Sequence, residues 1–261
     1  MNLSTKLEFV AGLAQIAQVD NWLTTNPDPV GLMMVGRSNV GKSSLINSIF
    51  NTSIARISKT PGKTREINVY RFYLDHKKNI AKHLREEPCF LFDLPGYGHA
   101  QVSKEMRRDW DMLINHFFTS VYNKRIALLN IKDARVPDIK TDSFFSDYII
   151  NTNNNHHHGH HGHHGHQQQV IYPMLVFNKI DKLKTQSERA QLKKSLTGIL
   201  QNNFWAKQVY FVSAEKGDGM NELKLALLSF LLGKITGPEN IEISSHESSI
   251  DESREMIKRE N

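Results

Sequence analysis

One cysteine, Cys89, is all that 261 residues contain, so no intrachain disulfide framework exists and the composition suits a reducing compartment. No apolar run comes near the roughly 18 residues that a membrane-spanning helix requires. The first residues, Met1-Asn2-Leu3-Ser4-Thr5-Lys6-Leu7-Glu8, lack a basic stretch leading into an apolar core, and they are neither Arg-rich nor acid-poor. Neither a secretory leader nor a transit peptide is expected from them. The expected location is the cytoplasm, with an organelle matrix as the alternative in a eukaryotic host.

Acidic charge is also scarce over most of the chain. Residues 236–261 hold 7 Asp/Glu against 3 Lys/Arg, which leaves 30 Lys/Arg against 20 Asp/Glu for residues 1–235, a balance of +10 inside an overall +6. A basic body with an acidic tail fits a nucleic-acid or ribonucleoprotein partner. The length accommodates one α/β domain with a full core plus appendages. The expected division is a lead-in over residues 1–29, a nucleotide domain over 30–235 and a frayed acidic tail over 236–261.

What is present centres on Gly36-Arg37-Ser38-Asn39-Val40-Gly41-Lys42-Ser43, which reads G-x-x-x-x-G-K-[ST]. It follows the apolar run Val30 to Val35 and precedes a helix-like run, Ser44 to Phe50. Phosphate binding needs this strand, loop and helix start: successive backbone N–H groups turn inward around a polyphosphate, and the positive end of the helix dipole faces it. Lys42 would reach the β and γ phosphates, and the Ser43 hydroxyl would take a position on Mg²⁺.

Residues 3–29 read as a helical lead-in (Leu7, Phe9, Val10, Leu13, Ile16) ending in the turn Asn26-Pro27-Asp28-Pro29. A basic loop, residues 53–64, follows the first helix, and nucleotide switches place there a threonine that binds Mg²⁺ and senses the γ phosphate. Thr64 is the candidate and Thr60 its competitor. A strand over Ile67 to Leu74, a hairpin loop over 75–87 and a strand over Cys89 to Phe92 then deliver Asp93-Leu94-Pro95-Gly96. In D-x-x-G the carboxylate holds the metal's shell and the Gly96 N–H can reach the γ phosphate.

A helix over Ser103 to Val121, a strand over Arg125 to Ile131 and a helix over Ile139 to Ile150 come next. Residues 151–169 hold eight of the thirteen histidines among Gly, Asn and Gln. Such a tract buries nothing and is expected to be a disordered surface insertion. A metal buffer is the sharper reading, but no carboxylate or cysteine fixes a site geometry, which favours a tolerated expansion. After a strand ending at Phe177 comes Asn178-Lys179-Ile180-Asp181. An aspartate accepts from both N1–H and N2–H₂ of guanine, a donor pair that adenine lacks, and Lys179 packs its stem along the ring. A helix over Leu183 to Leu200, a strand over Gln208 to Val212 ending in Ser213-Ala214, and a helix over Met220 to Leu232 close the domain. The Ala214 N–H is a candidate donor to guanine O6.

Strands alternating with helices, with ligand motifs at strand C-terminal ends, predict an α/β P-loop NTPase: a doubly wound mixed sheet of about six strands with one antiparallel hairpin strand. The wording of the motifs goes further. Gly36 to Asn47, Ser58-Lys59-Thr60-Pro61-Gly62-Lys63-Thr64 followed by Ile67-Asn68, and Asp93-Leu94-Pro95-Gly96-Tyr97-Gly98 resemble the EngB family of GTP-binding proteins, within the Era-like class. The resemblance runs from about Leu7 to Gly233, outside the insertion, and Tyr97-Gly98 is its most discriminating part. It implies a GTPase needed for large ribosomal subunit assembly and, in bacteria, for normal septation and division. By the same resemblance Gly36 to Ser43 with Ser44, then Gly62, Lys63, Thr64, Arg65 and Glu66, Asp93 to Gly96, Asn178 to Asp181, and Val212, Ser213 and Ala214 would line GTP. Mg²⁺ would sit on Ser43, Thr64 and Asp93, and Lys42, Thr64 and Gly96 would act on the transferring phosphate. The chain departs from the family's pattern in the histidine-rich insertion, in Asn178 where members often have Thr, and in the acidic tail.

Fast hydrolysis needs a side chain that orients water just after D-x-x-G, and an arginine that neutralises transition-state charge. Tyr97 cannot do the first, and only Arg65 stands near enough to suggest the second. Slow hydrolysis accelerated by a partner such as a pre-ribosomal particle is therefore expected, from a monomer. Asn39 resembles the asparagine of GTPases that place K⁺ against the phosphates. Alternatives are a GTP-controlled placeholder on rRNA with negligible hydrolysis, and a GTPase of metal handling through the histidines.

Overall fold

The computed structural model describes residues 3–4, 6–55, 66–74, 87–97, 104–137, 171–203 and 205–233. Among these, seven strands form one sheet: β1 (Leu7–Leu13), β2 (Val30–Gly36), β3 (Ile67–Phe72), β4 (Cys89–Asp93), β5 (Ile126–Asp133), β6 (Ile171–Asn178) and β7 (Gln208–Val212), in spatial order β1-β3-β4-β2-β5-β6-β7. β3 runs antiparallel to both its neighbours, and the other pairings are parallel. The mixed α/β sheet with one reversed strand is as expected, with one strand more.

That strand is β1, where a helical lead-in was expected. Leu7, Val10 and Leu13 fall at a helix-like spacing of three, yet Leu7 pairs with Phe72 and Leu13 with Ile67. A bulge between Phe9 and Ala11 inserts one extra residue, which reverses the inward and outward alternation along the strand. Leu7 thus packs into the core on one face of the sheet and Leu13 into the core on the other. The irregularity erases the period of two that would have announced a strand. Helix α1 (Ile16–Thr25) follows, so only the second half of the lead-in is helical.

The middle of the sheet follows from its composition. Every residue of β5 and β6 is buried, and of β2 all but Val30; β2, and β6 as far as Phe177, read as apolar runs of the kind that parallel sheets need when both faces are covered, whereas β5 buries Asn130, Lys132 and Asp133 among its apolar residues. Helices α2 (Lys42–Phe50) and α5 (Met220–Leu231) cover one face through Leu45, Ile49, Leu223 and Leu227. The other face takes Val19 of α1, Leu113 and Phe117 of α3 (Lys104–Val121), and Leu192 and Ile199 of α4 (Gln186–Asn202). α4 starts after a 3₁₀ turn at Ile180–Lys182, and Thr185 caps it with Glu188 in a reciprocal capping box, three residues later than expected. The expected helix over Ile139 to Ile150, the histidine-rich insertion and the acidic tail lie outside the described residues.

Phe92 ties sheet to helices: its ring meets Trp22 at 5.4 Å and Phe117 at 5.1 Å, with no surface exposed. Phe92→Ala is expected to cost about 3–5 kcal/mol. Urea unfolding measures this, and a loss under about 1 kcal/mol would show that α1 and α3 do not share a packed core with β4.

Candidate functional site

The parallel strands β2, β4, β5, β6 and β7 all point their carboxyl ends at one edge of the sheet, and the expected motifs lie on the loops leaving them. After β2 the chain curls through Asn39 at φ 65° and Gly41 at φ 100°, both left-handed. No side chain caps α2 at Gly41. The first-turn N–H groups of that helix therefore face the loop without a capping side chain, which is the arrangement that holds an anion. A methyl group on Gly41 would lie 2.4 Å from Asn178 Nδ2, so glycine is needed there for space as well as for backbone hand.

The D-x-x-G segment lies directly against this loop. Leu94 N–H donates to Met34 O at 3.1 Å and Ser38 N–H to Tyr97 O at 3.2 Å. Gly96 packs so closely that a Cβ would come within 2.7 Å of Ser38 Oγ. Asp93 is buried, and its Oδ1 has no hydrogen-bond partner. Burial pushes its carboxyl above the usual range, and the nearby Lys42 only partly offsets that. Burial likewise pushes the Lys42 ammonium down, against the pull of Asp93. A desolvated carboxylate oxygen left unsatisfied beside a phosphate loop fits a divalent cation, whose oxygen-only preference matches Asp93 and the Ser43 hydroxyl at the start of α2.

The base-reading motif is locked to the same loop. Asn178 Nδ2 donates to Val40 O at 3.0 Å, and Asn178 Oδ1 accepts from Ala214 N–H at 3.1 Å. Ala214 N–H, expected to serve guanine O6, is thus already engaged by Asn178. Asp181 Oδ1 accepts from Ser213 Oγ at 2.7 Å, and Asp181 Oδ2 lies 3.2 Å from Lys182 Nζ. Burial pushes the Asp181 carboxyl up, but Ser213 and Lys182 outweigh it and hold the group below its usual range. Lys179 takes a left-handed backbone (φ 68°) and donates to Asn39 O across the phosphate loop.

Of the expected site residues, Gly36 to Ser44, Asp93 to Gly96, Asn178 to Asp181 and Val212 to Ala214 sit at one edge of the sheet, on strand ends, the loops that leave them and the start of α2. Gly62, Lys63, Thr64 and Arg65, with the competitor Thr60, lie outside the described residues. Glu66 is described, and its carboxylate lies against Gly12 of β1, which β3 and β4 separate from β2. One residue joins the cluster without having been expected: Asp133, at the end of β5, binds Lys179 Nζ at 2.9 Å and the Arg135 guanidinium at 2.7 Å. In the sequence, Asp133-Ala134-Arg135-Val136-Pro137 shows only a turn after a strand.

Gly41→Ala is expected to weaken nucleotide binding by roughly tenfold or more, since a left-handed alanine costs about 1–2 kcal/mol before its clash with Asn178 is counted. Calorimetric titration with GDP measures this. Unchanged affinity would mean that the contact between Gly41 and Asn178 does not shape the site.

Comparison with known proteins adds the family. The sequence model described as "50S ribosome-binding GTPase" matches residues 31–158. A probable GTP-binding protein EngB of Thermotoga maritima is 35% identical over 198 residues, covering 76% of this chain and 84% of that protein. The corresponding protein of Rickettsia bellii is 30% identical over 221 residues, covering 84% and 86%. Among solved structures, a probable GTP-binding protein EngB overlays with a TM-score of 0.50 at 21% identity, over 77% of this chain and 98% of that one, a likeness of fold. With identity at this level across most of both chains, and with phosphate, D-x-x-G and N-K-x-D elements meeting at one sheet edge, the chain belongs to the EngB family of GTP-binding proteins and is a GTPase.

Proposed function

We propose that this GTPase acts as a switch in assembly of the large ribosomal subunit, binding a subunit precursor or its rRNA in one nucleotide state and leaving in the other. In a bacterial host it would also be needed for normal septum formation. The family description "50S ribosome-binding GTPase" and the +10 balance of residues 1–235 support such a partner. The observation that carries the switch reading is the D-x-x-G segment: hydrogen bonds join Leu94 and Tyr97 to β2 and the phosphate loop, so the state of the γ phosphate bears directly on it.

The residues divide by role. The guanine edge falls to Asp181, with Asn178, Lys179, Ile180, Val212, Ser213 and Ala214 shaping its surroundings. Phosphates fall to the backbone of Gly36 to Ser44 and to the Lys42 ammonium, with Gly62 to Arg65 of the switch loop as further phosphate contacts; Glu66, whose carboxylate lies against Gly12 of β1, takes no part. Mg²⁺ would be held by Ser43, Thr64 and Asp93, where it neutralises charge on the β and γ oxygens. Gly96 N–H and Thr64 would report the γ phosphate. Asn39 is the residue that would admit K⁺. No helix among the described residues is long and apolar enough to cross a membrane. We place a monomer in the cytoplasm, or in the matrix if the host carries organelles.

Hydrolysis by the protein alone is expected to be slow. The Tyr97 side chain is buried in the hydrophobic core, which leaves it unable to orient water at the phosphate. A partner therefore supplies what is missing.

Three measurements test the proposal. Sedimentation of ribosomal subunits with the protein is expected to show salt-sensitive association with the large subunit under a non-hydrolysable GTP analogue and release under GDP. Equal association in both states would remove the switch, and failure to associate in either would remove the partner. Asp181→Asn is expected to exchange a preference for guanosine triphosphate for one for xanthosine triphosphate. A mutant still preferring guanosine would dissociate base reading from Asp181. Turnover in K⁺ and Na⁺ buffers is expected to differ, and equal rates would exclude the role given to Asn39.

A further inference from the structure

Lys179 makes two contacts that draw it away from its own loop: one with a backbone carbonyl of the phosphate loop, the other with a carboxylate at the end of a different strand. We propose that this carboxylate, Asp133, is a positioning residue for the guanine nucleotide: it fixes Lys179 so that one side chain joins the base-reading loop to the phosphate loop. The inference rests on the nucleotide-site reading given above.

Three features of the turn support it. First, Asp133 is itself immobilised. Its Oδ1 accepts from Arg135 N–H at 3.1 Å and from Arg135 Nε at 3.0 Å, and its Oδ2 accepts from Arg135 Nη2 at 2.7 Å while also holding Lys179 Nζ at 2.9 Å. Second, Lys179 needs an external constraint. A left-handed lysine backbone is sparsely populated and persists where partners over-determine it. Asn39 O, Asp133 Oδ2 and the Val40 O contact of the preceding Asn178 do so. Third, the turn is fastened to both loops that it serves. Ala134 N–H donates to Asn178 O at 2.8 Å, and Arg37 of the phosphate loop donates to Val136 O at 2.5 Å. Burial alone would push the Asp133 carboxyl up, but the bonds from Arg135 and Lys179 hold it at about 2, so the anion that Lys179 requires is present at any working pH.

This chemistry predicts a particular signature. Asp133 pairs with the Lys179 ammonium, whose backbone belongs to the base loop, and both of its oxygens are taken up by Arg135 and Lys179, which leaves it a positioning role without a part in the chemical step. Loss of the carboxylate therefore loosens GDP and GTP equally and leaves turnover at saturating GTP alone.

The test is a double-mutant cycle on the full chain, read as dissociation rates of fluorescent GDP and of a fluorescent non-hydrolysable GTP analogue. Asp133→Asn and Lys179→Met are each expected to speed both dissociations by about tenfold, the scale of one charge-assisted hydrogen bond. The double variant is expected to be no faster than about twice the faster single, because the two changes remove one interaction. KM rises and kcat stays within about twofold for Asp133→Asn, a split that general loosening of the fold would not produce. Multiplying effects of roughly a hundredfold, or an Asp133→Asn rate equal to the wild type, would overturn the proposal. Should Asp133→Asn fail to fold, Asp133→Glu keeps the charge and displaces it by one methylene. A rise of about threefold, with no further rise when it is combined with Lys179→Met, is expected, and independence of the two would again overturn it. Wild-type protein that holds no GDP would instead refute the nucleotide-site reading, which keeps the two failures apart.

Discussion

The Asn178 carboxamide is the contact on which the site depends. It is buried, and it uses its donor on Val40 O and its acceptor on Ala214 N–H, so one planar group joins the loops after β2, β6 and β7. An amide can do this because it offers a donor and an acceptor on separate atoms. An aspartate would lose the bond to Val40, and a hydroxyl would have to donate and accept on a single atom. Gly41 fits the same constraint, since the space a Cβ would need is filled by the Asn178 amide nitrogen. The sheet brings strand ends to one edge, and this side chain turns that proximity into a fixed relation between phosphate and base.

Asp93 and Asp133 show opposite uses of a carboxylate at this edge. Both are buried at the ends of strands. Asp133 spends its oxygens on Arg135 and Lys179 and stays ionised. Asp93 keeps one oxygen unpaired, and desolvation disfavours its charge. An unsatisfied buried oxygen costs on the order of 1–3 kcal/mol, more if charged, and a cation bound there would recover that cost. A saturated carboxylate is an anchor, whereas a frustrated one is a receptor. The same contrast separates Lys179, which has two partners, from Lys42, whose ammonium is desolvated beside Asp93.

The central strands were legible because burial on both faces needs apolar runs, which β2, β4 and β6 supply and which β5 supplies on either side of Asn130. The motifs were legible because phosphate and guanine chemistry requires particular residues at short spacings. Features that depend on distant partners were not. The bulge in β1 gave Leu7, Val10 and Leu13 a helical spacing, and only pairing with β3 reveals a strand. β5 was expected to stop at Ile131 because Lys132 and Asp133 look like surface residues, yet the ladder with β6 continues to the pair Asp133 and Asn178, and both are buried. Asp133 was overlooked for the same reason: its partners stand 2 and 46 positions along the chain, and the farther one gives it a role.

The treatment of Tyr97 bears on how such a switch could be timed. Its carbonyl accepts from Ser38 N–H in the phosphate loop, its backbone forms a bridge with Arg37, and its side chain is buried in the hydrophobic core on one face of the sheet. The residue that follows D-x-x-G is thus an anchor on three sides, fixing Gly96 against Ser38 at a separation that no Cβ would allow. A residue so held cannot also swing toward the γ phosphate, so positioning and water activation are divided between different groups. The bonds at Leu94 and Tyr97 set the place of Gly96 beside the phosphate loop, and under the function proposed above acceleration would fall to a group brought from outside the core.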